Sequence, residues 1–172
     1  MPCPLSCVMN NNATFSPDRV YRYSLWREWI GGDGYCMFVG LNPSTADETS
    51  DDPTIRRCIG YAKQWGYSAL EMCNLFAYRA TDPKDMLIGV TDPVGPANDT
   101  ILRFSARHAG IVIAAWGTHG SHLGRDQAVR AMLPNIYALK LTKGGHPSHP
   151  LYLRADLKPL HWPHLTPRLV MP

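Results

Sequence analysis

The chain has 172 residues, 45% hydrophobic and 18% charged. That is ordinary for one globular domain, residues 1–172, which can bury a full core without staples. The net charge of +3 permits an anionic partner but is less basic than a strong nucleic-acid footprint, and no apolar run is long enough to span a membrane. The five cysteines lack framework spacing, which points to reduced thiols in the cytoplasm. Cys36 and Cys73 sit in apolar runs and suit small buried hydrophobes. No charged segment followed by an apolar one opens the chain, so no signal peptide is expected.

Residues 1–16 are polar and turn-rich and read as a loose start. Tyr21, Tyr23 and Leu25 alternate with polar residues, which predicts a half-buried strand over 21–29. Gly31-Gly32-Asp33-Gly34 is a turn, and Tyr35 to Val39 returns as a central strand, so a β-hairpin is expected. A polar loop follows, Gly40-Leu41-Asn42-Pro43-Ser44-Thr45-Ala46-Asp47. Asp52 suits a helix N-cap, Pro53 the first helical position, Ile55, Ile59 and Ala62 one apolar face, and Gly66 the end.

Further strands are predicted over 69–73, 111–115 and 135–141, and helices over 84–87, 96–109 and 121–133. A last helix is expected near Pro150, and 159–172 reads as a proline-rich coil. The order predicts an α/β fold, three layers α/β/α, with a mostly parallel central sheet and one antiparallel edge strand. The site should lie beyond the carboxyl ends of the strands, where the Gly40 loop would face the loop Gly144-Gly145-His146-Pro147-Ser148-His149-Pro150-Leu151-Tyr152.

Four segments in order carry a resemblance: Gly40-Leu41-Asn42-Pro43-Ser44, Cys73-Asn74-Leu75, Ala115-Trp116-Gly117-Thr118-His119, and Gly145-His146-Pro147-Ser148-His149-Pro150-Leu151. Together they resemble the uracil-DNA glycosylase superfamily, in which these loops activate water, read the base edge and enter the minor groove. The chain also resembles a family of small bacterial and phage proteins known only as a domain of unknown function, through Asn-Pro-Ser-Thr-Ala-Asp and Asp-Pro-Thr. There are departures. Asn42 stands where uracil-specific members have aspartate, Ser44 where they have tyrosine, and His149 is an insertion. The cysteines do not match the iron–sulfur branches, so no cofactor is expected.

The resemblance implies hydrolysis of a sugar–base bond in DNA, through an oxocarbenium-like transition state. Asn42 would position the water, and Asp47 or Asp52 would serve as base. His146 would donate to the base oxygen as a neutral imidazole. Asn74 would read the base edge, and Phe38 or Phe76 would stack on the flipped base, core packing being the competing reading for both rings. Ser44 would leave a gap beside pyrimidine C5. Arg56, Arg57, Arg79, Lys143 and Ser148 would hold DNA, and Leu151 and Tyr152 would fill the vacated stack.

His119/His122, His146/His149 and His161/His164 share a spacing that can bind zinc on helices, but these lie in loops or beside proline, and no metal is expected. The expectation is a monomeric, monofunctional DNA glycosylase for a 5-substituted pyrimidine, such as glucosylated hydroxymethylcytosine of phage DNA, acting in phage defence. The alternatives are a uracil or mismatch glycosylase, or a non-catalytic module that binds a modified base or nucleotide.

Overall fold

The computed structural model describes residues 10–133 and 135–162. One mixed sheet of seven strands has the order β1-β2-β4-β3-β5-β6-β7. The strands are β1 (Asn10–Phe15), β2 (Arg22–Glu28), β3 (Tyr35–Gly40), β4 (Ala69–Asn74), β5 (Ile111–Ala114), β6 (Tyr137–Ala138) and β7 (Leu160–His161). β4, β3, β5 and β6 run parallel, and antiparallel strands flank them on both sides. The helices are α1 (Pro53–Gln64), α2 (Pro83–Leu87), α3 (Asn98–His108) and α4 (Arg125–Met132).

Strand alternation divides the core into two layers. Cys36 and Phe38 of β3 pack with Ile55, Cys58 and Tyr61 of α1. Met37 and Val39 pack on the other face with Leu102 of α3 and Val129 of α4. Successive side chains point to opposite faces of a strand, so helices cover both faces in an α/β/α sandwich. Cys36, Cys58 and Cys73 are buried free thiols, and burial pushes their pKa values up. Helix α1 begins as expected: the Asp52 carboxylate accepts from the Ile55 N–H at 2.8 Å, and Pro53 occupies the first turn.

Several elements depart from expectation. Residues 10–15 pair antiparallel with β2. Asn10-Asn11-Asn12 are poor strand formers, but pairing with the neighbouring edge overrides propensity. Residues 1–9 lie outside the described residues. The β2–β3 hairpin does not form, because β4 sits between those strands. Gly32 packs against the link from α1 to β4, where a Cβ would lie 2.5 Å from the Gly66 carbonyl. Antiparallel strands therefore close both edges rather than one. The last parallel strand is only Tyr137–Ala138, and Leu160–His161 pairs with it, so part of the expected coil tail is strand. Residues 163–172, with His164, are outside the description. A kinked 3-10 segment Thr118–Gly124 precedes α4, and a single 3-10 turn Pro150–Tyr152 replaces the last helix.

Two arginines of β2 are buried: Arg27 shares the inward face of Tyr23 and Leu25, whereas alternation placed Arg22 outward. Arg27 is fully buried and clamps the loop before α1. Its Nε meets the Asp51 carboxylate at 2.7 Å, and its Nη atoms reach carbonyls of Asn12, Trp26, Asp47 and Ser50. Arg27→Ala is expected to lower stability by about 3–5 kcal/mol in urea denaturation, because it strands a carboxylate and several carbonyls. A loss below about 1 kcal/mol would show that water replaces the clamp.

Candidate functional site

From β3 the chain crosses to β4 on one side and then to β5 on the other. The switch point lies between the carboxyl ends of β3 and β5, where open α/β sheets hold ligands. A cavity of about 470 Å³ opens there. The loops meet through the backbone: Leu75 N–H donates to Gly40, Ala115 N–H to Val39, and Gly117 N–H to Pro147. All four loops singled out in the sequence thus converge on one edge of the sheet.

Asn42 lines the cavity. Its amide nitrogen donates to the carbonyls of Pro43 at 3.1 Å and Ala80 at 2.9 Å. Carbonyls only accept, so the amide's orientation is fixed and its oxygen is left to accept a proton from water. Asp52 also lines the cavity, and capping Ile55 occupies only one of its two oxygens.

Asn74 ends β4 opposite Gly40 and is buried. Asn98 pins that strand end by donating to the Asn74 and Leu75 carbonyls at 3.1 and 3.0 Å. The Asn74 side chain fits because residue 40 has no side chain: a Cβ there would lie 2.8 Å from Asn74 Oδ1. Gly40→Ala is expected to displace Asn74 and cost about 1–3 kcal/mol of stability in denaturation, as overpacking does. An unchanged midpoint would show that the asparagine relaxes freely.

Of the two histidines in the last loop, His149 is the one that lines the cavity. Its Nδ1 accepts from the Leu151 N–H at 3.3 Å, which puts the proton of the neutral ring on Nε2. Burial holds its pKa below the ordinary imidazole value, with the Asp52 carboxylate pulling the other way. His146 lies off the cavity and closes a turn. Its N–H donates to Thr142 Oγ1, and its carbonyl accepts from the Thr142 N–H. The bridge between Leu141 and Pro147 folds this stretch back on itself, so the chain reaches the cavity three residues later than the motif suggested.

Other expected positions also move. The Asp47 carboxylate closes its own turn, accepting from the Thr49 and Ser50 N–H groups, which hold its pKa below the usual range. Phe38 and Phe76 are fully buried in the two cores and line no part of the cavity. Helices on both faces leave neither ring free for a base. Arg79 is folded against the β1–β2 turn, donating to the Arg19 carbonyl with its guanidinium 4.8 Å from the Phe15 ring. Ser148 is tied by its backbone to Lys140, and Lys143 is exposed.

Ser44 and Tyr152 line the cavity, and Tyr152 is 86% exposed. Its neighbour Leu151 lines a second cavity of about 400 Å³ with Arg56 and Arg57. The turn Pro150–Tyr152 is the wall between the two. Trp116, Thr118 and His119 complete the far side of the main cavity. Their motif was visible in the sequence, though no role followed from it. Arg22 lines the cavity as well and was missed, because alternation placed it outward. Among the described residues, no three His, Cys, Asp or Glu side chains group as metal ligands, and no helix is long and apolar enough to cross a membrane.

A family model matches residues 22–151, a span holding every cavity-lining residue but Tyr152. The chain belongs to the DUF1643 family, described as proteins of unknown function. DUF1643 therefore covers β2 to the 3-10 turn at Pro150, leaving β1 and β7 outside the match. Comparison with curated proteins found no match, and neither did comparison with solved structures.

Proposed function

We propose that this DUF1643 protein is a monofunctional DNA glycosylase that removes a 5-substituted pyrimidine. The observation that carries this reading is the convergence of Asn42, Asp52, Asn74 and His149 on one cavity at the switch point. The volume suits a small ligand held by a few placed polar groups. The likeness of the four loops to the uracil-DNA glycosylase superfamily supports the same reaction.

The Asn42 oxygen and the second Asp52 oxygen hold a water, and Asp52 takes its proton as the water attacks C1′ of the sugar. The C1′–N bond breaks, and its electron pair leaves with the base. The Asp52 carboxylate also stabilises the positive charge that develops on the sugar. His149 donates Nε2–H to the base oxygen as negative charge builds there. The products are an abasic sugar bearing the water's hydroxyl and the free base. Extruding the base costs a few kcal/mol, and exposed Tyr152 is placed to fill the gap it leaves. DNA phosphates would follow the groove of Arg56 and Arg57. The protein acts as a monomer in the cytoplasm, and excision of glucosylated hydroxymethylcytosine from phage DNA gives it a place in defence.

The test is alkali-labile strand breakage at abasic sites in DNA carrying the modified base. Wild type is expected to produce breaks and Asp52→Asn to slow them by about 10²-fold or more. Equal breakage by both proteins would remove Asp52 from the chemistry.

A further inference from the structure

The two buried arginines of β2 are used very differently. Arg27 spends its donors on a carboxylate and on backbone carbonyls. Arg22 is 2% exposed, and among the described residues its guanidinium makes one hydrogen bond, from Nη1 to the Ala46 carbonyl at 2.7 Å. Its Nε is buried without an acceptor, and Nη2 meets no acceptor among the described residues. Among the described residues no carboxylate lies within ion-pair distance of it. Burial pushes its pKa down to about 10, so the charge persists at neutral pH, with Asp52 the largest favourable field and Arg79 and Arg27 opposing.

A buried guanidinium with one of its five protons satisfied is strongly unfavourable unless something else meets it. The Nε–Nη2 edge that remains is a side-on fork, the geometry that takes two oxygens of one oxyanion. Arg22 lines the main cavity. Asn74, at the end of β4, lines the same cavity. The Asn74 amide nitrogen is a second buried donor without an acceptor. This part of the cavity therefore offers donors, one of them cationic, to a ligand rich in acceptors.

We propose that Arg22 and Asn74 form an oxyanion subsite in the main cavity, for a phosphate or carboxylate carried by the ligand. The subsite concerns binding alone, so it stands or falls separately from base excision.

Calorimetric titration at low ionic strength tests it, with inorganic phosphate, with 2′-deoxycytidine 5′-monophosphate against 2′-deoxycytidine, and with 5-carboxycytosine against cytosine. At least one anion is expected to bind wild type at least about 10-fold more tightly than its neutral counterpart. Preference for the nucleotide, with phosphate competing, would identify a phosphate subsite. Preference for 5-carboxycytosine would identify a carboxylate on the base. Arg22→Met should abolish the preference, and Arg22→Lys, which keeps the charge without the fork, should retain only part of it. Without ligand, Arg22→Met should unfold at or above the wild-type temperature, because it removes a charge the fold does not pair. Equal affinity for anionic and neutral members of both pairs, no binding of any anion, or a preference that survives in Arg22→Met would overturn the proposal. So would a marked fall in the Arg22→Met unfolding temperature, which would make the bond to Ala46 the reason for the arginine.

Discussion

His149→Ala is expected to slow base release by roughly 10²–10³-fold, the loss typical when one donor to a developing oxyanion is removed. His146→Ala is expected to release base at close to the wild-type rate, since His146 closes a turn outside the cavity. The contrast between two histidines of one loop separates a donor at the cavity from a general effect on loop shape. His149→Ala should fold, because loop side chains contribute little packing. The same residue sets the pH dependence. The neutral ring accepts from Leu151 at Nδ1 and carries its proton on Nε2; protonation of Nδ1 breaks that contact. Its folded pKa lies below the ordinary 6.5. The rate should therefore hold down through pH 6.5 and fall only at more acidic values. The sign for stability agrees. The unfolded chain takes up the proton first, so stability is full above about pH 6.5 and is lost as pH falls toward the folded pKa. A rate that already drops between pH 7.5 and 6.5 would contradict a burial-depressed donor.

The second large effect concerns Ser44. It lines the cavity, and in the proposed likeness to the uracil-DNA glycosylase superfamily it corresponds to a tyrosine that screens pyrimidine C5. A small side chain leaves space along that edge, and an unfilled gap forfeits dispersion contacts with plain uracil. A larger 5-substituent fills it. Polar neighbours such as Ser44 and Arg22 favour a hydroxylated substituent over a methyl. Ser44→Tyr should abolish release of large 5-substituted pyrimidines and leave uracil release unchanged or faster. Competitive digestion of mixed oligonucleotides measures both at once. Wild type releasing uracil faster than every 5-substituted base would restore the uracil or mismatch reading.

What the sequence disclosed follows from where one physical signal dominates. Apolar runs closed by polar turns located β3, β4 and β5, and their parallel order placed the Gly40, Asn74 and Trp116 loops on one edge. The Asp-Pro pair before Ile55 located the start of α1 because capping is local. Features set by tertiary pairing were not legible. Asn10–Phe15 becomes strand only because β2 offers an edge, and β4 enters between β2 and β3 although a glycine turn joins them.

Orientation was the weakest inference. Phe38 and Phe76 turn inward and Arg22 is buried because helices and loops cover both faces of the sheet, so a polar position in a strand need not face solvent. In the last loop the motif pointed to His146, and only the turn formed by Thr142 shows why His149 is the one at the cavity. Asp47 and Asp52 had equal standing in the sequence. The hydrogen bonds to Thr49 and Ser50 commit Asp47 to its turn and leave Asp52 at the cavity.

The most direct measurement is detection by mass of free base released from single-stranded and duplex DNA carrying uracil, 5-methylcytosine, 5-hydroxymethylcytosine and its glucosylated form. Wild type is expected to liberate at least one 5-substituted pyrimidine and leave an abasic sugar, with His149→Ala slower by at least about 10²-fold. No free base from any of these substrates with wild-type protein, after prolonged incubation in excess over DNA, would contradict a glycosylase.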